Sequence, residues 1–228
     1  MSPEMVQELE AQLKGGNVSL WEKGYYAFLR QSVLQEHQER FPLFSYDYSK
    51  RVVLYAWVSS NILGDGPIDF LEFGVFRGDS FLRWLALNKH PQSRFFGFDT
   101  FSGLPERWDA GRSEKGCFDA GGKFPEVSDP RASFVPGLFQ DTLPPFAARF
   151  EPQGRLVLHL DADLYSSTLF VLMTMNRHIR PGTVLIFDEF IAEDEFAAFH
   201  HFCKACLRQW RILAARRDLH KVALEITV

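Results

Sequence analysis

Apolar and polar residues change period repeatedly along this chain, and the changes mark its elements. Residues 1 to about 62 hold no convincing period-2 run and read as helical. Ser19-Leu20-Trp21-Glu22 begins like a capped helix, with a hydroxyl three residues before an acid. Val52, Val53, Tyr55, Ala56, Val58 and Ile62 form a broad apolar face that predicts a helix over Ser49 to Leu63, stopped by Gly64-Asp65-Gly66-Pro67. Ile68–Phe73 then reads as a strand, followed by Gly74 and a helix through Trp84 and Leu87. Arg94 to Phe98 is a second strand, ending at Asp99. Further strands are expected at Ala132–Val135, Leu156–Leu160, Thr183–Phe187, Trp210–Ala214 and Val222–Thr227. Helices are expected at Asp141–Phe150 (begun around Pro144), Ser166–His178 and Glu193–Leu207. Strands alternating with helices predict an α/β fold, with a mostly parallel, seven-stranded sheet covered on both faces.

The pattern divides the chain into an N-terminal helical cap on the substrate side, residues 1–62, and a core, residues 63–228. Within the core, residues 100 to about 130 are rich in Gly, Pro and charge and lack clear periodicity. A segment that long without regular structure is expected to be a functional lid.

Composition narrows the class. The chain of 228 residues is 46% hydrophobic, enough for a sizeable core, and its 23 phenylalanines predict that the core is largely aromatic. The net charge is −4 and no basic block occurs, which argues against nucleic acid as a partner. No apolar stretch reaches the roughly 20 residues a membrane span needs, and Met1 to Lys14 does not resemble a signal peptide. Three cysteines suit no disulfide framework, so a reducing cytoplasm is the expected location. Homo-oligomerisation is left open.

The chemistry concentrates at strand ends. Leu158-His159-Leu160-Asp161-Ala162-Asp163 and Leu185-Ile186-Phe187-Asp188-Glu189 each close an apolar run with carboxylates. In an open parallel sheet these ends meet at one edge, where ligands collect. No comparable cluster of Lys or Arg accompanies them in the sequence. Packed carboxylates need a proton, a basic partner or a cation, and an oxygen-only set suits a hard divalent ion such as Mg²⁺. The bland alternative is strand-end capping by solvated acids.

The upstream half supplies a second constellation. Glu72-Phe73-Gly74-Val75-Phe76-Arg77-Gly78-Asp79-Ser80 is a glycine-bearing strand-to-helix turn, where backbone can approach a ligand and a helix N-terminus offers free N–H groups. Its spacing matches neither a dinucleotide fingerprint nor a phosphate loop. Asp99, ending the next strand, is suitably placed to accept both ribose hydroxyls of a nucleoside cofactor. Thr100, Phe101 and Ser102 add a hydroxyl contact and an apolar wall. His200-His201-Phe202-Cys203-Lys204-Ala205-Cys206 has a zinc-like look, but a single CxxC more simply forms the buried stripe of a helix. His159 is read as structural, facing opposite to Leu158 and Leu160.

Four blocks, in order, carry a family resemblance: residues 71–78, residues 98–105 (Phe98-Asp99-Thr100-Phe101-Ser102-Gly103-Leu104-Pro105), residues 137–144 and residues 160–168 (Leu160-Asp161-Ala162-Asp163-Leu164-Tyr165-Ser166-Ser167-Thr168). Together they resemble the macrocin-O-methyltransferase family over about residues 45 to 190. The resemblance implies a Rossmann-like class I methyltransferase fold that uses S-adenosylmethionine and a divalent metal, usually Mg²⁺, to methylate sugar hydroxyls on natural products. A glycosylated small-molecule acceptor is thereby the expected partner.

Carried over by motif, Glu72 holds the methionine ammonium group, with Gly74, Val75, Gly78 and Ser80 around it. Asp99, Thr100 and Phe101 take the ribose side, and the turn containing Gly137, Phe139 and Asp141 borders the adenine. Asp161, Asp188 and Glu189 hold the metal, and Asp161 also receives the proton, with Asp163 in reserve. Two departures stand out. Asp188-Glu189 replaces the family's paired aspartates or Glu-Asp, and Leu164 occupies the place where some members carry a histidine base. A metal-dependent methyltransferase of a catechol or other diol, and a non-catalytic cofactor-binding scaffold, are the alternatives.

Overall fold

The structure is a computed structural model that describes residues 18–35, 41–45 and 51–228. The elements, in chain order, are α1 (Val18–Gln35), β1 (Leu43–Phe44), α2 (Arg51–Val58, continued by a π turn over Ser59–Leu63), β2 (Ile68–Phe73), α3 (Asp79–Leu87), β3 (Arg94–Asp99), β4 (Ala132–Pro136), α4 (Phe139–Arg149), β5 (Arg155–Leu160), α5 (Tyr165–Met175), β6 (Val184–Phe187), a π turn (Ala192–Phe196) leading into α6 (Ala197–Ala205), β7 (Trp210–Arg216) and β8 (Val222–Ile226). No described helix is long and apolar enough to cross a membrane.

The strands form one sheet in the order β1-β7-β8-β6-β5-β2-β3-β4. All neighbours are parallel except β8, which runs antiparallel to both β6 and β7. The sheet thus has eight strands, where the hydrophobic pattern predicts seven. The extra one, β1, lies in a segment read as helical. Its two residues pair with the end of β7 (Leu43 with Ala215, Phe44 with Arg216), and two residues show no period to read. Leu43 packs on one face of the sheet and Phe44 on the other, as strand alternation requires.

Each face of the sheet carries its own core. On one, Leu71, Phe73, Phe98, Leu158, Leu160, Leu185 and Phe187 pack against α4, α5 and α6, with Tyr26 and Leu34 of α1. On the other, Phe70, Phe95, Val157 and Ile186 meet Tyr55, Phe81 and Trp84 of α2 and α3. Phenylalanine dominates, as composition predicts. Phe73 stacks on Phe98 with ring centroids 5.0 Å apart, and Phe81 meets Phe134 at 4.9 Å. Burying each such ring contributes about 1.5–3 kcal/mol. β2 is buried at every position, which suits a central strand covered on both faces.

One boundary shifts in a way that matters for the site. The helix expected from about Asp141 begins at Phe139, because the Leu138 carbonyl accepts the N–H groups of Asp141 and Thr142, both at 3.0 Å. Pro144 and Pro145 consequently fall in its second turn. The helix expected from Ser49 is described from Arg51, and Ser49 lies outside the described residues. Gly64 ends it as expected, at φ 65° with its N–H on the Ser59 carbonyl at 2.8 Å.

Candidate functional site

Backbone hydrogen bonds one step beyond each ladder fix the strand ends that build the site. Gly74 N–H donates to the Phe98 carbonyl, Asp161 N–H to Phe73, Asp188 N–H to Leu160 and Gly137 N–H to Asp99, all at 2.9 Å. The residues that leave β2, β4, β5 and β6 are therefore held at one edge of the sheet. This edge borders a cavity of about 850 Å³, whose wall includes Gly74, Ser80, Asp99, Phe139, Asp161 and Asp188.

The glycine turn is shaped by close approach. Gly74 has φ 94°, and a Cβ there would collide with the Asp161 carbonyl, so only glycine lets the turn after β2 lie this close to the end of β5. Gly78, at φ 85°, precedes α3, and its N–H closes the turn onto the Val75 carbonyl at 2.8 Å. Asp99 organises the same turn. Its Oδ2 accepts the N–H groups of Val75 and Phe76, each at 2.7 Å, and its Oδ1 accepts Phe101 N–H at 2.7 Å. Asp99 still borders the cavity, along with Val75 and Thr100.

Glu72 lies behind this wall. It is fully buried; Oε1 accepts the Ser80 hydroxyl at 2.5 Å, and Oε2 faces His159 Nδ1 at 3.6 Å. Of the other residues assigned to a cofactor, Gly78, Phe101, Gly137 and Asp141 do not border the cavity, whereas Leu138 and Gln140 do. Phe101 packs instead against Phe124, with centroids 4.8 Å apart. The earlier start of α4 is why Leu138, Phe139 and Gln140 reach the cavity while Asp141 turns onto the helix.

The opposite wall is acidic. Asp161, Asp163, Asp188 and Glu189 all border the cavity. Loss of surrounding water raises the Asp161 carboxyl above its usual range; Lys221 and His159 pull it down, and Glu72 and Glu189 push it up. Burial and the neighbouring Asp161, Glu189 and Asp194 push Asp163 up to about 8. Asp163 also has φ 62°, a left-handed conformation that non-glycine residues adopt sparingly.

Several participants were not legible in the sequence. Lys221 is paired with Asp188 Oδ1, so one of these acids has a basic partner, one of the three companions the sequence left open for them. It escaped notice because β8 is antiparallel: the residue before β8, and not the one after it, reaches the carboxyl edge. Arg216, Asp218 and His220 of the same β7–β8 connection also border the cavity. Tyr55, read only as part of an apolar helix face, donates its hydroxyl to Asp188 Oδ1 at 2.7 Å. His159 faces the α2–α3 side of the sheet, as alternation predicted, but sits between Glu72 and Asp188, whose carboxylate oxygens lie 3.6 and 3.7 Å from its ring nitrogens. Glu195 is fully buried, and its Oε2 accepts Glu189 N–H at 3.1 Å. Burial and the nearby Asp161 and Asp163 raise Glu195 well above the usual carboxyl range. An acid leading directly into Phe196-Ala197-Ala198-Phe199 was the available signal for it.

The loop over residues 100–130 is more ordered than its composition suggests. Ser102 bridges to Asp119 and Trp108 to Ser113. Trp108 Nε1 donates to Asp194 Oδ2 at 2.9 Å, and Ser166 donates to Glu106 Oε1 at 2.5 Å. Gly103, Leu104, Pro105, Trp108 and Phe118 roof the cavity. On α6, Phe199, Phe202 and Cys203 form a buried stripe, in line with the reading of the CxxC segment, and burial pushes the Cys203 thiol up to about 12.

The donor chemistry of Asp161, Asp188 and Glu189 fits a hard cation: oxygen ligands at one buried, mutually repelling edge. Their arrangement does not yet gather them. Among the described residues no three His, Cys, Asp or Glu side chains are grouped as a metal site, and Asp188 is engaged by Lys221 and Tyr55.

A parallel sheet with one antiparallel strand, a glycine turn after its central strand and an acid ending the next one define a class I methyltransferase fold. Solved structures agree. The calicheamicin methyltransferase CalS11 superposes with a TM-score of 0.56 at 25% identity, covering 76% of each chain. The O-methyltransferase NovP shares the fold with a TM-score of 0.59 at 21% identity, over 78% of this chain and 80% of its own. The sequence profile described as Macrocin-O-methyltransferase (TylF) matches residues 50–211, so the chain belongs to the macrocin-O-methyltransferase family. A curated relative, the 8-demethyl-8-(2,3-dimethoxy-alpha-L-rhamnosyl)-tetracenomycin-C 4'-O-methyltransferase of Streptomyces olivaceus, is 30% identical over 175 residues. That match takes in 67% of this chain and spans 65% of the relative's length.

Proposed function

We propose that this chain is an S-adenosylmethionine-dependent O-methyltransferase that acts, with a divalent cation such as Mg²⁺, on a hydroxyl of a sugar-bearing natural product. The observation that carries this reading is the cavity itself. It faces the glycine turn and Asp99 on one side and Asp161, Asp163, Asp188 and Glu189 on the other. Family membership supports the methyl transfer, and the rhamnosyl acceptor in the name of the Streptomyces relative supports the substrate class. The proposed division of the chain is a helical cap over 1–62 on the acceptor side and a cofactor-binding core over 63–228 with its lid. A cytoplasmic location belongs to the same reading.

S-adenosylmethionine supplies an already activated methyl group, so the protein's task is chiefly alignment. Asp99 holds the turn at Val75 and Phe76 in place and presents its remaining lone pairs to the ribose hydroxyls. Ser80, positioned by Glu72, faces the methionine end, and Phe139 borders the adenine. Asp161, Asp188 and Glu189 would hold the cation, and a cation there would orient neighbouring hydroxyls of the acceptor and make them more acidic. A carboxylate oxygen of Asp161 takes the proton, with Asp163 as the second candidate. The roof formed by Leu104, Pro105 and Trp108 keeps water from the transfer.

The test is a mass-spectrometric screen of glycosylated and catechol acceptors for the gain of one methyl group, run with Mg²⁺ and with chelator. Methylation of a sugar hydroxyl, lost in chelator and restored by Mg²⁺, is the expected result. Methylation of catechols alone would move the substrate class, and full activity in chelator would remove the cation. Binding of S-adenosylhomocysteine with no acceptor methylated would leave a non-catalytic cofactor-binding scaffold.

A further inference from the structure

Lys221 stands immediately before β8, and the antiparallel run of that strand delivers it to the edge where the carboxylates collect. Its side chain is 2% exposed, its Nζ is on Asp188 Oδ1, and it lies 5.9 Å from the Tyr55 ring centroid. Asp188 Oδ1 also accepts the Tyr55 hydroxyl at 2.7 Å. A buried ammonium is costly unless it is paired, and Asp188 supplies an opposite charge to Lys221. Lys221 nonetheless borders the cavity, as do Asp161, Asp163 and Glu189.

A carboxylate oxygen that holds an ammonium in contact is in the wrong company to ligate a divalent cation. The two cations would share one acceptor at short range and repel strongly in a site with little water. We propose that Lys221 is the resident counter-ion of the metal position. It holds Asp188 in the metal-free protein and leaves Asp188 when the divalent cation binds, so metal uptake and movement of the ammonium are one event. The inference rests on the reading of Asp188 as a metal ligand and adds an internal competitor to it. It accounts for the company of Asp188: beside acids that repel one another, its Oδ1 carries an ammonium where a cation would ligate. The cavity gives the displaced ammonium room beside Asp161 and Asp163 without entry into the apolar core.

Calorimetric titration of the full chain with Mg²⁺ alone tests this. Lys221→Met keeps the bulk of the stem and removes the charge, and is expected to bind Mg²⁺ at least about tenfold more tightly than the parent, because the ammonium no longer competes for Asp188. Equal or weaker binding by Lys221→Met overturns the competition while leaving the metal site standing. Absence of Mg²⁺ binding in both proteins overturns the metal reading as well. A second measurement covers a variant that fails to fold: the ¹⁵N-lysine ammonium resonance of the parent protein, assigned by its loss in Lys221→Arg. It is expected to shift or disappear as Mg²⁺ saturates. A resonance unmoved at saturation overturns the proposal.

Discussion

The hydroxyl of Tyr55, on α2, donates to Oδ1 of Asp188, at the end of β6, across 2.7 Å. This contact ties the helical layer to the acidic edge of the cavity, and it is buried at both ends. Tyr55→Phe deletes it with little change of shape. A hydrogen bond to a charged group contributes about 1.5–3 kcal/mol, so denaturant unfolding should show a loss in that range. Mg²⁺ binding should change as well, since Asp188 loses one of its fixed neighbours. A variant as stable as the parent would mean that water replaces the phenol without cost.

Asp99 carries a second prediction. Asp99→Ala removes the acceptor of three backbone N–H groups, from Val75, Phe76 and Phe101. The turn that borders the cofactor loses its shape together with the ribose contact. Affinity for S-adenosylhomocysteine, read by calorimetry, should fall at least about tenfold, equivalent to about 1.4 kcal/mol. Unchanged affinity in a normally folded variant would displace the cofactor from this wall.

The acids should divide by sign. Asp188 is paired with Lys221, so Asp188→Asn removes a charge that faces a buried ammonium and should destabilise the metal-free protein by about 3–5 kcal/mol. Glu195 is held above the usual carboxyl range by burial and by Asp161 and Asp163, so Glu195→Gln should stabilise it, provided the amide keeps the Glu189 N–H contact. Both effects can be read from thermal unfolding in chelator. Asp161→Asn should also remove most methyl transfer, measured with Mg²⁺ present.

The same repulsion sets a pH dependence. Asp163 has a folded value of about 8 against a reference of 3.8, so the folded state binds the proton more tightly. For a carboxyl raised in this way, stability falls as pH rises between those two values, because the unfolded chain releases a proton that the folded state still holds. The melting temperature of the metal-free protein should therefore decline between about pH 4 and about pH 8, a window set by Asp163. Asp163→Asn should flatten the slope. A melting temperature rising across the window would contradict the burial of these acids.

The loop over 100–130 is latched to the π turn before α6 by Trp108 Nε1 on Asp194 Oδ2 at 2.9 Å. Trp108→Phe removes the donor, and limited proteolysis should then cut the loop faster. In the parent protein, cofactor plus acceptor should slow cleavage if the loop closes over them. Equal cleavage in every case would make it an ordinary surface loop.

The residues by themselves determined most of the segments that become strands and helices, because burial on both faces writes apolar runs into β5 and β6. They also determined that acids end those runs, that Gly74 occupies the turn after β2 and that His159 faces away from Leu158 and Leu160. All of these follow from periods and strand ends, which are local. Only the tertiary structure decided what joins them. β1 became a strand through pairing with β7, which two residues cannot announce. The direction of β8 decided that Lys221 meets Asp188, and helix packing decided that Tyr55 reaches the same oxygen from 133 positions away in sequence. Charge pairing across a sheet depends on strand order and direction, and neither leaves a period in the chain.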